Sequence, residues 1–275
     1  LKAWVKDYEA VLSWKMDGLT IVLKYLGGKL AQAVTRGNGE VGEDITHNAK
    51  AFKNLPLSIP FEGELVIRGE GLISFKDFEI INDELSDNEK YKNPRNLCSG
   101  TVRQLNSNVV KKRSVNFIAF TLVSAQGKTF EFKTDELKFL ADLGFDVVEH
   151  KIVNSANIDE SVLEFEKKIP SNKFATDGLV LTINSVSLSE SLGETSKFPK
   201  DSIAFKWKDE LAKTKLLDIE WNTSRTGLIN PVAVFEPVEL EGTSVNRASV
   251  HNVSIVKELK LGIGDEISVY KANMI

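Results

Sequence analysis

Two Asp-Gly steps, Asp17-Gly18 and Asp177-Gly178, each open a short apolar run, Leu19 to Leu23 and Leu179 to Ile183. Runs rich in branched residues and bounded by turn residues read as β-strands. The first run is closed by Gly27-Gly28, beyond which Leu30 to Thr35 supplies the second arm of a hairpin. It is preceded by Ser13-Trp14-Lys15-Met16. A lysine just before an Asp-Gly turn can point into a cleft. On this tetrad alone, an ordinary surface lysine beside a hairpin outweighs a nucleophile.

A length of 275 residues suggests about two domains. The formal charge of −4, from 35 basic and 39 acidic residues, does not mark a nucleic-acid binder, although a local basic face remains compatible with it. The single cysteine, Cys98, excludes an internal disulfide and suits a reducing cytoplasm. There is no signal peptide and no apolar run long enough to span a membrane. The chain starts at Leu1 without a methionine and stops in a strand-like run over 265–270, so it reads as a fragment of a larger protein.

Strands are expected from Leu65 to Arg68, ending at Gly69-Glu70-Gly71, then from Val115 to Val123, Gly178 to Ile183 and Ser202 to Trp207. Helices are expected over 45–52 with Asp44 or Thr46 near the cap, over 74–90 opened by Ser74, over 134–143 stopped by Gly144, and over 159–168. Residues 93–104 read as a polar loop running into a helix. From about Leu211 the texture changes to short strands at 217–221, 232–235, 238–240 and 266–270, with one helix over 252–259. That pattern suits the first part of a small β-barrel such as an OB-fold. The expected division is therefore 1–210 and 211–275.

Lys15, Arg36 and Lys206 are basic residues at strand ends or loops with glycine or acid nearby, and Glu70 lies between two glycines. Glycines let backbone approach a ligand, and converging Arg and Lys suit a phosphate-bearing one. An ordinary lysine, with a pKa of about 10.4, is neutral in roughly one molecule in a few thousand at pH 7. A nucleophilic lysine therefore needs neighbouring cations or desolvation. Arg36 and Lys206 are placed in sequence to supply that charge and to neutralise a phosphate under attack.

Lys15-Met16-Asp17-Gly18 resembles the lysine-x-aspartate-glycine motif of the covalent nucleotidyltransferases: DNA ligases, RNA ligases and mRNA capping enzymes. The blocks TRGNGEVGEDIT (35–46), RGE (68–70), NPRNLCSGTVRQ (93–104), TDGLVLTIN (176–184) and AFKW (204–207) follow in the order found in bacterial NAD-dependent DNA ligases. RTGLINPVAVFEPV (225–238) and NRASVHN (246–252) resemble the start of that family's OB domain.

The resemblance implies an α+β fold: an adenylation domain of antiparallel, ATP-grasp-like sheets with flanking helices, followed by a partial OB-fold barrel. It implies that Lys15 attacks the α-phosphate of NAD, releases nicotinamide mononucleotide and holds AMP. Arg36 would contact the ribose and phosphate, Glu70 the ribose, and Asp177 the metal and phosphate region. Lys206 would meet the α-phosphate, Phe120 would stack under adenine, and Arg95 and Arg103 would grip DNA phosphates. Magnesium would assist, without a dedicated carboxylate cage. The implied partner is nicked double-stranded DNA, and the implied protein is a cytoplasmic monomer. Modules of the family that complete the NAD site and the DNA clamp would flank this chain.

Four positions depart from the family pattern. Ser13 stands where a glutamate usually precedes the lysine, and Thr182 where the fourth motif has a second lysine. Ile169 replaces an arginine, with Lys168 beside it, and Phe120 replaces a tyrosine. Lys173 and Lys197 are candidates to restore the missing cation. A divergent, weakly active or inert nucleotide- or nick-binding homologue is the alternative reading.

Overall fold

The computed structural model describes residues 1–6, 8–37, 41–194, 199–207, 211–240 and 243–270. Asn38, Gly39 and Glu40 of the glycine-rich loop, and Lys197, lie outside the described residues. Contacts divide the chain into two compact units, Leu1–Lys206 and Trp207–Ile275.

The first unit runs α1 (Lys2–Val5), β1 (Ala10–Met16), β2 (Leu19–Leu26), β3 (Lys29–Thr35), α2 (Thr46–Ala49) and β4 (Leu65–Leu72). It continues with α3 (Phe75–Asp83), α4 (Pro94–Val102), α5 (Ser107–Lys112), β5 (Asn116–Ala125), α6 (Lys133–Asp142) and β6 (His150–Val153). It ends with α7 (Ile158–Lys168), β7 (Thr176–Ile183), α8 (Val186–Leu192) and β8 (Ser202–Phe205). The strands form two four-stranded antiparallel sheets, ordered β6-β1-β7-β8 and β3-β2-β4-β5.

Consecutive strands β1 and β2 thus belong to different sheets, and Asp17-Gly18 is the corner between them rather than a simple turn at the mouth of one strand. The corner is tight. A Cβ on Gly18 would lie 2.2 Å from the Gly71 carbonyl oxygen and 2.7 Å from a Leu72 methyl. On β2 the alternation Ile21, Leu23, Tyr25 is fully buried, because period two puts these side chains on one face. They share a core with Ile67, with Leu97, Cys98 and Val102 of α4, and with Leu140 of α6. On β1, Leu12 and Trp14 point away from Ser13 and Lys15, and the Trp14 ring meets Phe165 of α7 edge-on at 4.8 Å.

The second unit is one sheet ordered β11-β10-β9-β12, from β9 (Ala212–Thr223), β10 (Ile229–Leu240), β11 (Thr243–Ser249) and β12 (Glu266–Val269), with α9 (Val253–Glu258). Leu216, Phe235, Leu240, Val256 and Val269 form its core.

Several expectations need correcting. The strand expected to stop at Arg68 continues to Leu72, because Gly69 and Gly71 turn their bare Cα atoms toward Phe117 and Ile21 and keep the ladder intact. Within 93–104 the helix begins already at Pro94 and runs to Val102, with Asn93 accepting from the Asn96 N–H at 2.8 Å and proline in the first turn. The helix expected over 74–90 stops at Asp83. That expected over 45–52 spans only Thr46–Ala49; Ile45 is its N-cap, and Asp44 beside it accepts from the Thr46 N–H at 2.8 Å. β8 stops at Phe205, so Lys206 follows it. The strands expected at 232–235 and 238–240 are one strand whose register shifts between Val234 and Val238, where Pro237 has no N–H to give.

Gly18→Ala is expected to lower stability by about 3 kcal/mol, the upper part of the range for overpacking. Urea denaturation of the two proteins checks this, and an unchanged midpoint would show that the corner has room.

Candidate active site

Lys15 owes its position to an irregularity between β1 and β7. Trp14 pairs with Leu179, but Met16 pairs with Thr176, so two residues of β7, Asp177 and Gly178, oppose Lys15 alone. Such a bulge re-aims a side chain. Gly178 takes φ +140°, and a Cβ there would sit 2.1 Å from the Phe205 carbonyl oxygen. The bulge therefore lets the end of β8 press close, which delivers Lys206 to the same spot. Lys15 Nζ donates to both Asp177 carboxylate oxygens, at 2.6 and 2.7 Å, and Lys206 Nζ lies 3.3 Å from Oδ2.

The facing sheet contributes Glu70. Inside β4, opposite Thr20 of β2, it accepts from the Thr20 hydroxyl at 3.0 Å and from the Gly18 N–H at 3.2 Å. Burial pushes its carboxyl up to about 7, although those bonds and the Arg95 charge pull the other way. Asp17 is buried and paired with Arg95 of α4 at 2.6 Å. Arg95 thus stands beside the Lys15 corner, itself half exposed. Arg103 is elsewhere, donating to Glu43 at 2.8 Å and to Ser99. Arg36 is exposed, and its N–H donates to the Thr20 carbonyl at 3.0 Å.

Ser13, Phe120 and Thr182 line one cavity of about 310 Å³, together with Arg68, Lys133, Glu136 and Asp201. Ser13 lies two residues before Lys15 on the same face of β1, about 7 Å along the strand. The Thr182 hydroxyl bonds the Ser202 hydroxyl at 3.0 Å. Neither Lys168 nor Lys173 is among the residues lining this cavity: Lys168 pairs with Glu149, and Lys173 lies 5.0 Å from the Phe174 ring centroid. Sequence reasoning passed over Asp17, Thr20, Arg68, Lys133 and Glu136. The first three lie within or beside the motif blocks, while α6 carried no motif to draw attention to it.

A model of the NAD-dependent DNA ligase adenylation domain matches residues 2–210, and one of the NAD-dependent DNA ligase OB-fold domain matches residues 213–275. A DNA ligase of Lachnoclostridium phytofermentans is 60% identical over 274 residues, 99% of this chain and 42% of that protein. One from Ruminiclostridium cellulolyticum is 56% identical over 277 residues, 100% of this chain and 42% of its own. Among solved structures, a Lig E DNA ligase superposes with a TM-score of 0.53 at 17% identity, covering 96% of this chain and 85% of that one, which is a likeness of fold.

Two antiparallel sheets facing across a lysine-bearing cleft define a nucleotidyltransferase-type adenylation domain. The chain belongs to the NAD-dependent DNA ligase family and comprises its adenylation domain followed by its OB-fold domain. It spans about two fifths of the length of the curated relatives it matches.

Glu70 sets a pH dependence. Its folded pKa lies above the ordinary carboxylate value, so the folded state holds the proton more tightly than the unfolded chain. That contribution is complete below about pH 4.5 and is lost as pH rises through about 7. Glu70→Gln keeps an acceptor for Thr20 and Gly18 without the charge. Its stability relative to the parent should rise between pH 4.5 and 8 by an amount on the order of 3 kcal/mol. Urea midpoints at the two pH values measure it, and a difference independent of pH would contradict the assignment.

Proposed function

We propose that this cleft carries out the first step of NAD-dependent DNA ligation. Lys15 Nζ, after losing a proton, attacks the α-phosphorus of NAD. A P–N bond forms, the P–O bond to nicotinamide mononucleotide breaks, and that group leaves with the electron pair. The lysyl-AMP then serves for transfer to the 5′-phosphate of nicked DNA. The observation that carries this reading is the Lys15–Asp177–Lys206 cluster: a lysine held from both carboxylate oxygens, with a second cation 3.3 Å from the same carboxylate.

The cluster gives each group a role. Asp177 is within proton-transfer distance of Lys15 and holds its ammonium in register until a phosphate arrives. Lys206 would then pair with the charge developing on the phosphate oxygens. Among the described residues, no group of three or more His, Cys, Asp or Glu gathers. Magnesium usually takes one or two protein carboxylates and otherwise phosphate oxygens and water. Asp177 would be the protein's share, and the ion would neutralise charge on the phosphate. Glu70 would accept from a ribose hydroxyl, Arg36 would meet the ribose and phosphate, and Phe120 would stack on the base. Arg95 and Arg103 would exchange their present partners, Asp17 and Glu43, for DNA phosphates. The reading keeps a domain boundary at 210/211 and a monomer in the reducing cytoplasm, where the buried Cys98 stays a thiol.

A second reading rests on Ser13 and Thr182. Both are neutral where the family pattern described above has a glutamate and a lysine, so a slow or inert nucleotide-binding homologue is its natural form.

Incubation with NAD labelled in the adenylyl phosphate separates the two. We expect label on Lys15, none on Lys15→Ala, and a rate lower by roughly 100- to 1000-fold in Lys206→Met, the usual effect of removing one oxyanion-stabilising contact. NAD bound without covalent label would favour the inert homologue. Label surviving Lys15→Ala would refute the assigned nucleophile.

A further inference from the structure

Serine and threonine at positions 13 and 182 leave open how the base is recognised. The Thr182 hydroxyl is engaged with Ser202, and Ser13 brings no charge. Yet the cavity they line is not neutral. Arg68, Lys133, Glu136, Glu194 and Asp201 all reach its wall. Glu194 is exposed, and Asp201 already accepts from the Ser202 hydroxyl at 2.9 Å. Glu136 differs from both. It is 8% exposed, it lies in the first turn of α6, and its ion pair with Lys133 is a loose one, at 3.6 Å. A buried carboxylate held this loosely keeps acceptor capacity facing the cavity.

We infer that Glu136 accepts a hydrogen bond from the exocyclic amine of the adenine base in this cavity. Lys133 balances its charge, so that α6 supplies a Glu–Lys pair to a cavity in which positions 13 and 182 are neutral. This rests on the adenylation reading above, because it takes Lys15 as the α-phosphate end and the Ser13–Phe120–Thr182 cavity as the base end. Burial, together with the nearby Glu190 and Asp201 carboxylates, raises the Glu136 pKa, and Lys133 opposes that rise. A cationless cavity would favour a protonated Glu136, so the lysine has a function beyond packing.

The specificity consequence is direct. Adenine offers an amine donor where hypoxanthine offers a carbonyl acceptor, and a carboxylate rejects the latter. AMP and IMP titrated calorimetrically into the chain should differ in affinity by roughly 10- to 100-fold in favour of AMP, the worth of one charge-assisted bond. In Glu136→Gln, whose amide can donate or accept, the preference should collapse towards equality. Adding Ser13→Glu to that variant should restore it. Equal affinity of the parent chain for AMP and IMP overturns the inference without any variant. A preference unchanged in Glu136→Gln, with AMP still bound, overturns it alone. A parent chain that binds neither nucleotide overturns the adenylation reading itself and this inference with it.

Discussion

The Asp177 carboxylate holds two lysines that approach it from opposite directions, one from β1 and one from just beyond β8. Its own placement comes from the bulge in β7, and the bulge depends on Gly178, whose φ of +140° is strained for any side chain and whose Cα packs against the Phe205 carbonyl. A backbone irregularity of one residue thus brings together charges that are separated by most of the first unit in sequence. Ion pairs this near the surface add little to stability. Their value here is positional: two ammonium groups are held against one carboxylate.

The opposite wall uses a different device. Glu70 is buried inside a regular strand, and it is held by a backbone N–H from the corner and a hydroxyl from the neighbouring strand. Keeping a carboxylate there opposes folding at neutral pH, as burial of charge does when compensation is partial. The first unit therefore presents a cation pair on one sheet and a hydrogen-bonding acid on the other, with an apolar ring, Phe120, lining the cavity nearby.

Much of this was readable in the sequence, and the readable part has a physical reason. The Asp-Gly steps, the Gly27-Gly28 hairpin and the alternation Ile21, Leu23, Tyr25 are local signals, set by turn chemistry and period two. The ordered blocks then specified the family, which the domain matches bear out. What escaped was non-local. That Asp17-Gly18 joins two sheets depends on the approach of Gly71, 53 residues on. Pro94 opening a helix looked like loop chemistry, since Asn-Pro serves both. The short α5, β6, α8 and β11 lack a long period to detect. Lys133 and Glu136 read as ordinary charges in a helical first turn, where the macrodipole alone accounts for an acid. Only folding shows that they reach the wall beside Ser13.

The corner at Gly18 has a mechanical side. It is one of two chain passages between the sheets, and Lys15 stands three residues before it; the other runs from β5 through α6 to β6. On that second passage the Ala119 N–H donates to the Asp146 carbonyl at 2.8 Å, and the Ala119 carbonyl accepts from the Val148 N–H at 2.9 Å. The two sheets are thus stitched together beside Lys15 and again beside Phe120. The space between those residues is framed from both ends, like cloth between two seams.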